Sequence, residues 1–313
     1  MDSAPEVSVI IPAYQAAATI ASTVTSVLAQ TIDHLEVIVV DDGSSDGTAA
    51  VARALSDRRV RVLSRAHVGV AAARNAGIAE ARGELIAFLD SDDLWLPRYL
   101  ELALEALAQA WRPGFAYTDA YGFDPRTGLV GARGLEGGPP PSPPPLRAEA
   151  FLLELLRRNF VFSSATVPRA VLEELGGFDQ RMAPAEDYDL WLRIVLAGYS
   201  PVWIPGKHAL YRIHARQASR NHARLRRAEL AVLAGLPTQQ MPTPAHQQLL
   251  ASRQQSLRRE LRILEGDARL AARMYRARRG MRSGWLASRL LGNGCSETPP
   301  PDVAAAFPDL TAV

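Results

Sequence analysis

Glu84-Leu85-Ile86-Ala87-Phe88-Leu89 runs without a break into Asp90-Ser91-Asp92-Asp93. A short run that is apolar on both faces reads as a buried strand, and the acids that follow stand at its carboxyl end. The same pattern occurs twice upstream. Val7-Ser8-Val9-Ile10-Ile11 is β-branched and stops at Pro12-Ala13-Tyr14, and Glu36-Val37-Ile38-Val39-Val40 stops at Asp41-Asp42-Gly43-Ser44-Ser45-Asp46-Gly47. Helical spacing predicts helices over 16–30, 48–55 and 70–81, with a short strand at Val60–Leu63. Strands alternating with helices of this length predict an α/β fold whose mostly parallel central sheet is covered by helices on both faces. In such sheets the functional groups gather at the carboxyl ends of the strands. Three strand ends here carry three polar clusters.

Downstream, helices are expected at 97–110, 147–158, 168–175 and from Ala185 onward, and short strands at Phe115–Thr118, Pro201–Ile204 and His208–Ile213. Residues 122–145, rich in Gly and Pro, read as a long flexible loop, and from about 216 the pattern is helical and Arg-rich. The expected organisation is a body over 1–215, a basic helical extension over 216–295 and a loosely ordered tail over 296–313. A hydrophobic share of 48% with 22% charged residues excludes a disordered or fibrous chain. The single cysteine, Cys295, excludes an internal disulfide framework and fits a reducing compartment. The amino terminus lacks a basic and then apolar leader, and no apolar run reaches the roughly 18–20 residues that span a bilayer. A cytoplasmic protein is expected, at most peripheral on the inner face of the membrane.

Charge is unevenly placed. Residues 207–289 hold 18 Lys and Arg against four Asp and Glu, while residues 1–206 hold 17 against 26. A basic region of this kind can meet an anionic membrane surface or a diphosphate-bearing acceptor, or it can be a solvated helix face or a homodimer contact. Nucleic acid is not the expected partner.

Five groups carry chemistry. In an extended segment Asp90 and Asp92 face one side, and hard cations such as Mg²⁺ or Mn²⁺ take carboxylate oxygens together with substrate phosphates. Asp42 can accept hydrogen bonds from a base or ribose, while Gly43 permits close backbone approach; the alternative is a turn that caps the next helix. Arg74, on the small-residue helix Gly69–Gly77, can meet phosphate or carboxylate in a forked geometry. In the first turn of the helix expected from Ala185, Asp189 pairs with Arg193, which leaves Asp187, off the apolar stripe, free to face a cleft as a general base. Arg212 and His214 share one face of a strand and suit a diphosphate or a metal.

These segments, in this order over about residues 5–215, resemble the family-2 glycosyltransferases of GT-A fold. Besides the strand-end motifs, the resemblance rests on Gly69 through Arg74-Asn75-Ala76-Gly77, Phe88-Leu89-Asp90-Ser91-Asp92-Asp93-Leu94-Trp95, Gly176-Gly177-Phe178-Asp179, Glu186-Asp187-Tyr188-Asp189-Leu190-Trp191 and Tyr211-Arg212-Ile213-His214. It implies an inverting, metal-dependent transfer from a nucleotide-diphosphate sugar, a UDP-sugar favoured, to a glycan or lipid-linked acceptor in cell-surface polysaccharide or glycolipid synthesis. Residues 1–120 would be the nucleotide-binding half and 121–215 the acceptor half. Pro12, Ala13 and Tyr14 would line the nucleoside pocket, with Asp42 reading the base and Arg74, Ser91 and Arg212 nearby. Asp92, Asp90 and His214 would hold the metal, Asp187 would be the base, and Glu186 and Trp191 would border the acceptor. Gln15 departs from the family's usual Asn. The rival expectations are a non-catalytic nucleotide-sugar binding protein on the same fold and a nucleotidyltransferase. No Gly-rich, Lys-containing triphosphate loop is present for the latter, Lys207 being the one lysine of the chain.

Overall fold

The β-branched runs build the centre. Val7–Ala13 (β1) and Leu35–Asp41 (β2) are buried along their whole length. Their side chains alternate between two cores, as strand geometry requires. Val9, Ile11, Val37 and Val39 pack on one face; Ile10, Ile38 and Val40 pack on the other. A computed structural model of the chain describes residues 4–125, 129–132, 148–214, 221–266 and 301–307.

Among the described residues nine strands form one sheet. Val60–Ser64 (β3), β2, β1 and Leu85–Phe88 (β4) are neighbours in that order, all parallel. Ala13 pairs with Asp41 and Ile10 with Phe88, so the three polar strand ends come out at one edge. Ile20–Leu28 (α1), Thr48–Ala54 (α2) and Tyr99–Gln109 (α4) cover one face, and Val70–Glu80 (α3) the other.

The parallel order expected for most of the sheet holds for these four strands, and the sheet is mixed beyond them. Ala165–Pro168 (β8) runs antiparallel to β4 and to Pro113–Asp124 (β6). Ser200–Arg212 (β9) is parallel to β6, and Leu94–Trp95 (β5) closes the far edge antiparallel to β9. Two short strands were expected within β9. The chain makes one, because register shifts opposite Tyr117–Ala120 absorb the Pro205-Gly206 interruption without breaking the ladder. The expected loop over 122–145 is also shorter than its composition implies: Tyr121–Asp124 pairs with Leu129–Ala132 (β7). The Pro-rich run 139–145 lies outside the described residues.

Ala148–Arg157 (α5), Arg169–Leu175 (α6) and Glu186–Leu196 (α7) pack on the α3 face. The basic region supplies His222–Gly235 (α8) and Pro244–Leu264 (α9), whose Val232, Leu233, Leu250 and Leu257 enter the same core. Its charge excess is partly neutralised internally. Glu229 and Glu260 each bind Arg226 and Arg253, and Glu265 binds Arg227. In the tail, expected to be loosely ordered, Pro301–Ala306 (α10) is helical, and Val303 is buried against Leu94, Leu96, Phe123 and Leu210. Among the described residues no helix is long and apolar enough to cross a membrane.

Helix α3 can approach the sheet because its inner face is Ala71, Ala73, Ala76 and Gly77. A Cβ on Gly77 would stand 2.5 Å from Ile10 Cγ2, inside van der Waals contact. Gly77→Val is therefore expected to cost about 1–3 kcal/mol through overpacking, read as a lower midpoint in chemical or thermal denaturation.

Candidate functional site

The turns after β1 and β2 are fastened to each other. Gln15, at φ 53°, donates its backbone N–H to Ser44 Oγ at 2.9 Å, Ala16 donates to Thr48 Oγ1 at 2.8 Å and Ala17 to Asp46 Oδ2 at 3.0 Å. Pro12 and Ala13 end buried beside this junction, and Tyr14 emerges 49% exposed, stacked on His67 with ring centroids 4.1 Å apart. Asp42 is 3% exposed. Its carboxylate accepts the N–H groups of Val68 at 2.9 Å and Gly69 at 2.8 Å and lies 2.8 Å from His67 Nδ1. Gly43 makes this possible: its φ is 77°, and a Cβ there would sit 2.8 Å from the His67 nitrogen. The surface presented here is thus Tyr14 with His67, and Asp42 lies beneath it holding the 67–69 turn. His67 was not among the expected site residues, because an isolated histidine in a loop carries no periodic signal.

Asp90–Asp93 is a turn closed by Asp93 N–H donating to Asp90 O at 3.1 Å, not an extended segment. Asp90 and Asp92 consequently meet different partners. Asp90 Oδ1 accepts from Arg74 Nη2 at 2.7 Å and Oδ2 from Ser163 Oγ at 2.8 Å. Asp92 Oδ2 lies 2.8 Å from His214 Nε2, and its carbonyl accepts from Arg212 Nε at 2.6 Å. Ser91 contributes its carbonyl, to the Thr23 hydroxyl at 3.0 Å. Asp93 is buried; Oδ1 accepts the Arg212 N–H at 2.9 Å and Oδ2 has no partner among the described residues. Burial first, then the neighbouring acids, push the Asp93 carboxyl well above the usual range. Burial and Asp90 push Asp92 up likewise, against the pull of His214.

Among the described residues no three His, Cys, Asp or Glu side chains converge as a metal cage. The donor set nevertheless fits a cation of the expected kind. Mg²⁺ and Mn²⁺ take few protein ligands when substrate phosphates complete the shell, and Asp92 and His214 place an oxygen and an imidazole nitrogen together. Asp90, also expected at the metal, has each oxygen engaged by Arg74 or Ser163.

Arg74, expected near phosphate, is 4% exposed and enclosed by carboxylates. Besides Asp90 it reaches Glu186 Oε1 at 2.5 Å through Nη1, with Phe178 5.2 Å beneath the guanidinium. Asp187, half-buried in the first turn of α7, accepts the Tyr188 N–H at 2.6 Å through Oδ1. Burial, then the charge of Glu186, raise its carboxyl to about 7 against the opposing Arg74. Two expected acceptor-side residues are corrected. Trp191 is 0% exposed and packs 4.7 Å from Phe115 in the core, so its ring meets no ligand. Glu186 is 5% exposed and spent on Arg74. Asp189 pairs with Arg193 at 2.8 Å, as its spacing predicts. Ser163 carries no motif of its own, and Asn75, within the Gly69–Gly77 motif but given no role there, clasps Phe178 through two hydrogen bonds to its backbone.

The family model described as "Glycosyl transferase family 2" matches residues 8–176. A Rickettsia felis protein named an uncharacterized glycosyltransferase is 31% identical over 194 residues, 61% of this chain and 31% of its own length. The Escherichia coli enzyme named UDP-Glc:alpha-D-GlcNAc-diphosphoundecaprenol beta-1,3-glucosyltransferase WfgD is 42% identical over 102 residues, 32% of this chain and 40% of its own. The chain thus spans 31% to 40% of the length of these curated relatives. Among solved structures, the mannosyltransferase PcManGT from Pyrobaculum calidifontis, in complex with GDP-Man and Mn²⁺, superposes with a TM-score of 0.59 at 21% identity, covering 99% of this chain and 84% of that one. The likeness shows a shared fold, the GT-A type expected from sequence.

Asp42→Ala is expected to leave the Val68 and Gly69 N–H groups unpaired, at about 1–3 kcal/mol. Hydrogen exchange resolves it: those two amides should exchange faster than in the parent while β1 amides stay protected.

Proposed function

The chain belongs to glycosyl transferase family 2, and on that premise we propose that it moves a sugar from a nucleoside-diphosphate donor to an acceptor hydroxyl with inversion at the anomeric carbon. The observation that supports the proposal is a pair of acids in different settings. Asp92 stands with His214 at the end of β4, and Asp187 stands, raised to about 7, at the start of α7.

Donor binding uses the strand ends. Tyr14 and His67 offer an aromatic face to the nucleobase, and Asp42 keeps that face in place. Asp92 and His214 would hold Mg²⁺ or Mn²⁺ against the diphosphate, and the cation, when bound, offsets charge that develops on the leaving group. Arg212 fixes the Asp92 backbone and adds positive charge at the same place. Across the site the acceptor oxygen attacks the anomeric carbon as the bond to the diphosphate oxygen breaks, and Asp187 takes the acceptor proton. A base near the working pH balances availability against strength, which the raised Asp187 satisfies. The names of the relatives support the substrate classes: UDP-glucose and a diphospho-lipid-linked sugar for the E. coli enzyme, GDP-mannose for the archaeal one. A UDP-sugar and a lipid-linked or glycan acceptor in cell-surface glycoconjugate synthesis are accordingly proposed here. Family membership also disfavours a nucleotidyltransferase, which would transfer a nucleotidyl group rather than a sugar.

Asp187→Asn should bind UDP with Mn²⁺ as the parent does and lose turnover. In the parent, kcat should fall tenfold per pH unit below about 7, as Asp187 takes up a proton and ceases to be a base. Parental turnover by Asp187→Asn would refute the base. Separately, Asp92→Ala should abolish the Mn²⁺-dependent part of UDP binding in calorimetry. An unchanged titration would remove Asp92 from the metal site.

A further inference from the structure

The guanidinium of Arg74 is buried between two carboxylates. Its Nη2 reaches Asp90 at 2.7 Å, at the end of β4, and its Nη1 reaches Glu186 at 2.5 Å, the first residue of α7. We propose that Arg74 is a positioning residue: by bridging Asp90 to Glu186 it sets where the adjacent Asp187 stands relative to the donor. The proposal rests on the reading of Asp187 as the base.

Three observations support a brace. First, one far end is itself held and the other is buried. Ser163 Oγ holds the second oxygen of Asp90 at 2.8 Å, and Glu186 is 5% exposed at the helix start. Second, α3 grips the approach to α7 at a second point one residue on. Asn75 donates Nδ2–H to Phe178 O at 2.8 Å and accepts the Phe178 N–H at 2.9 Å, while the Phe178 ring lies under Arg74. Arg74 thus holds the helix start, and Asn75 holds the segment that leads into it. Third, burial leaves the guanidinium no room for a phosphate: Arg74 is 4% exposed and Phe178 covers its ring side.

Electrostatics give the brace a readable signature. The charged groups facing Asp187 are Glu186 and Asp90, which favour its protonated form, and Arg74, which opposes them. A lysine keeps one charge but offers no planar fork, so it cannot hold two carboxylates in this geometry. Arg74→Met leaves Glu186 buried and unpaired, so the companion variant Arg74→Met/Glu186→Gln removes both charges together.

The test measures UDP release from UDP-glucose with water as acceptor, its pH profile, and UDP–Mn²⁺ affinity by calorimetry. Arg74→Lys should lose about 100-fold in kcat, the scale of an ångström of misplacement, with UDP affinity unchanged. In Arg74→Met the acid limb of kcat should move to higher pH, because the cation that lowers the base is gone. In the double variant the limb should return toward the parent while kcat stays low, since the bridge to Asp90 is still missing. Weakened UDP binding with parental kcat would make Arg74 a phosphate ligand and overturn the proposal. Parental kcat and pH profile in a folded double variant would reduce it to a structural ion pair. If Asp187→Asn is inactive and Arg74→Lys is not, this proposal alone falls. If Asp187→Asn turns over like the parent, the base reading falls and takes this one with it.

Discussion

A buried guanidinium joins the parallel half of the molecule to the helix that carries Asp187. Arg74 is removed from water on α3, and a charge in that setting is tolerated only when partners replace its hydration. Asp90 and Glu186 do so from segments 16 and 112 residues away. Stripping one partner from a buried pair costs about 3–5 kcal/mol, enough to fix the relative placement of three elements. The small residues of α3 are part of the same constraint. Ala71, Ala73, Ala76 and Gly77 let the helix lie close to β1, and that closeness carries Arg74 to the level of the acids.

The turn Asp90–Asp93 shows how three like charges share four positions. Each carboxylate receives a different donor: Arg74 and Ser163 for Asp90, His214 for Asp92, the Arg212 N–H for Asp93. The compensation is incomplete, since Asp92 and Asp93 both remain above the ordinary carboxylate range. Added positive charge is therefore worth most at this turn. On the proposed reading a cation would relieve it through Asp92 and His214, because Asp90 is already committed and Asp93 is buried against the Arg212 N–H.

The sequence makes the parallel half legible for a physical reason. Its strands are buried on both faces, so they read as unbroken apolar runs, and the change to acid or Gly marks where they stop. The Asp189–Arg193 pair is legible too, because helical spacing sets the two residues one turn apart. The second half hides its order. Nothing local says that β8 enters antiparallel between β4 and β6, or that β9 passes through Pro205-Gly206 without ending. Trp191, which the family resemblance set beside the acceptor, belongs to the apolar face of α7 that is core. His67, Ser163 and the two-sided grip of Arg74 are contacts between distant segments, and no period or spacing encodes them.

The placement of the acid turn draws on nearly the whole chain. It leads into β5, a strand of two residues with one ladder neighbour, β9, too short to hold itself. Thr23 bonds the carbonyls of Ser91 and Asp93, and Gln30 bonds the Leu96 carbonyl and the Leu100 N–H. Leu96 N–H reaches His208 O, and Val303 of α10 seals Leu94 and Leu96 against Phe123 and Leu210. Phe123 in turn lies 4.7 Å from the Arg212 guanidinium, whose Nε holds the Asp92 carbonyl. Packed contacts thus run without a break from residue 303 to the backbone carbonyl of residue 92. That continuity makes a short acidic turn, weak as a sequence signal, a defined geometry in the folded protein.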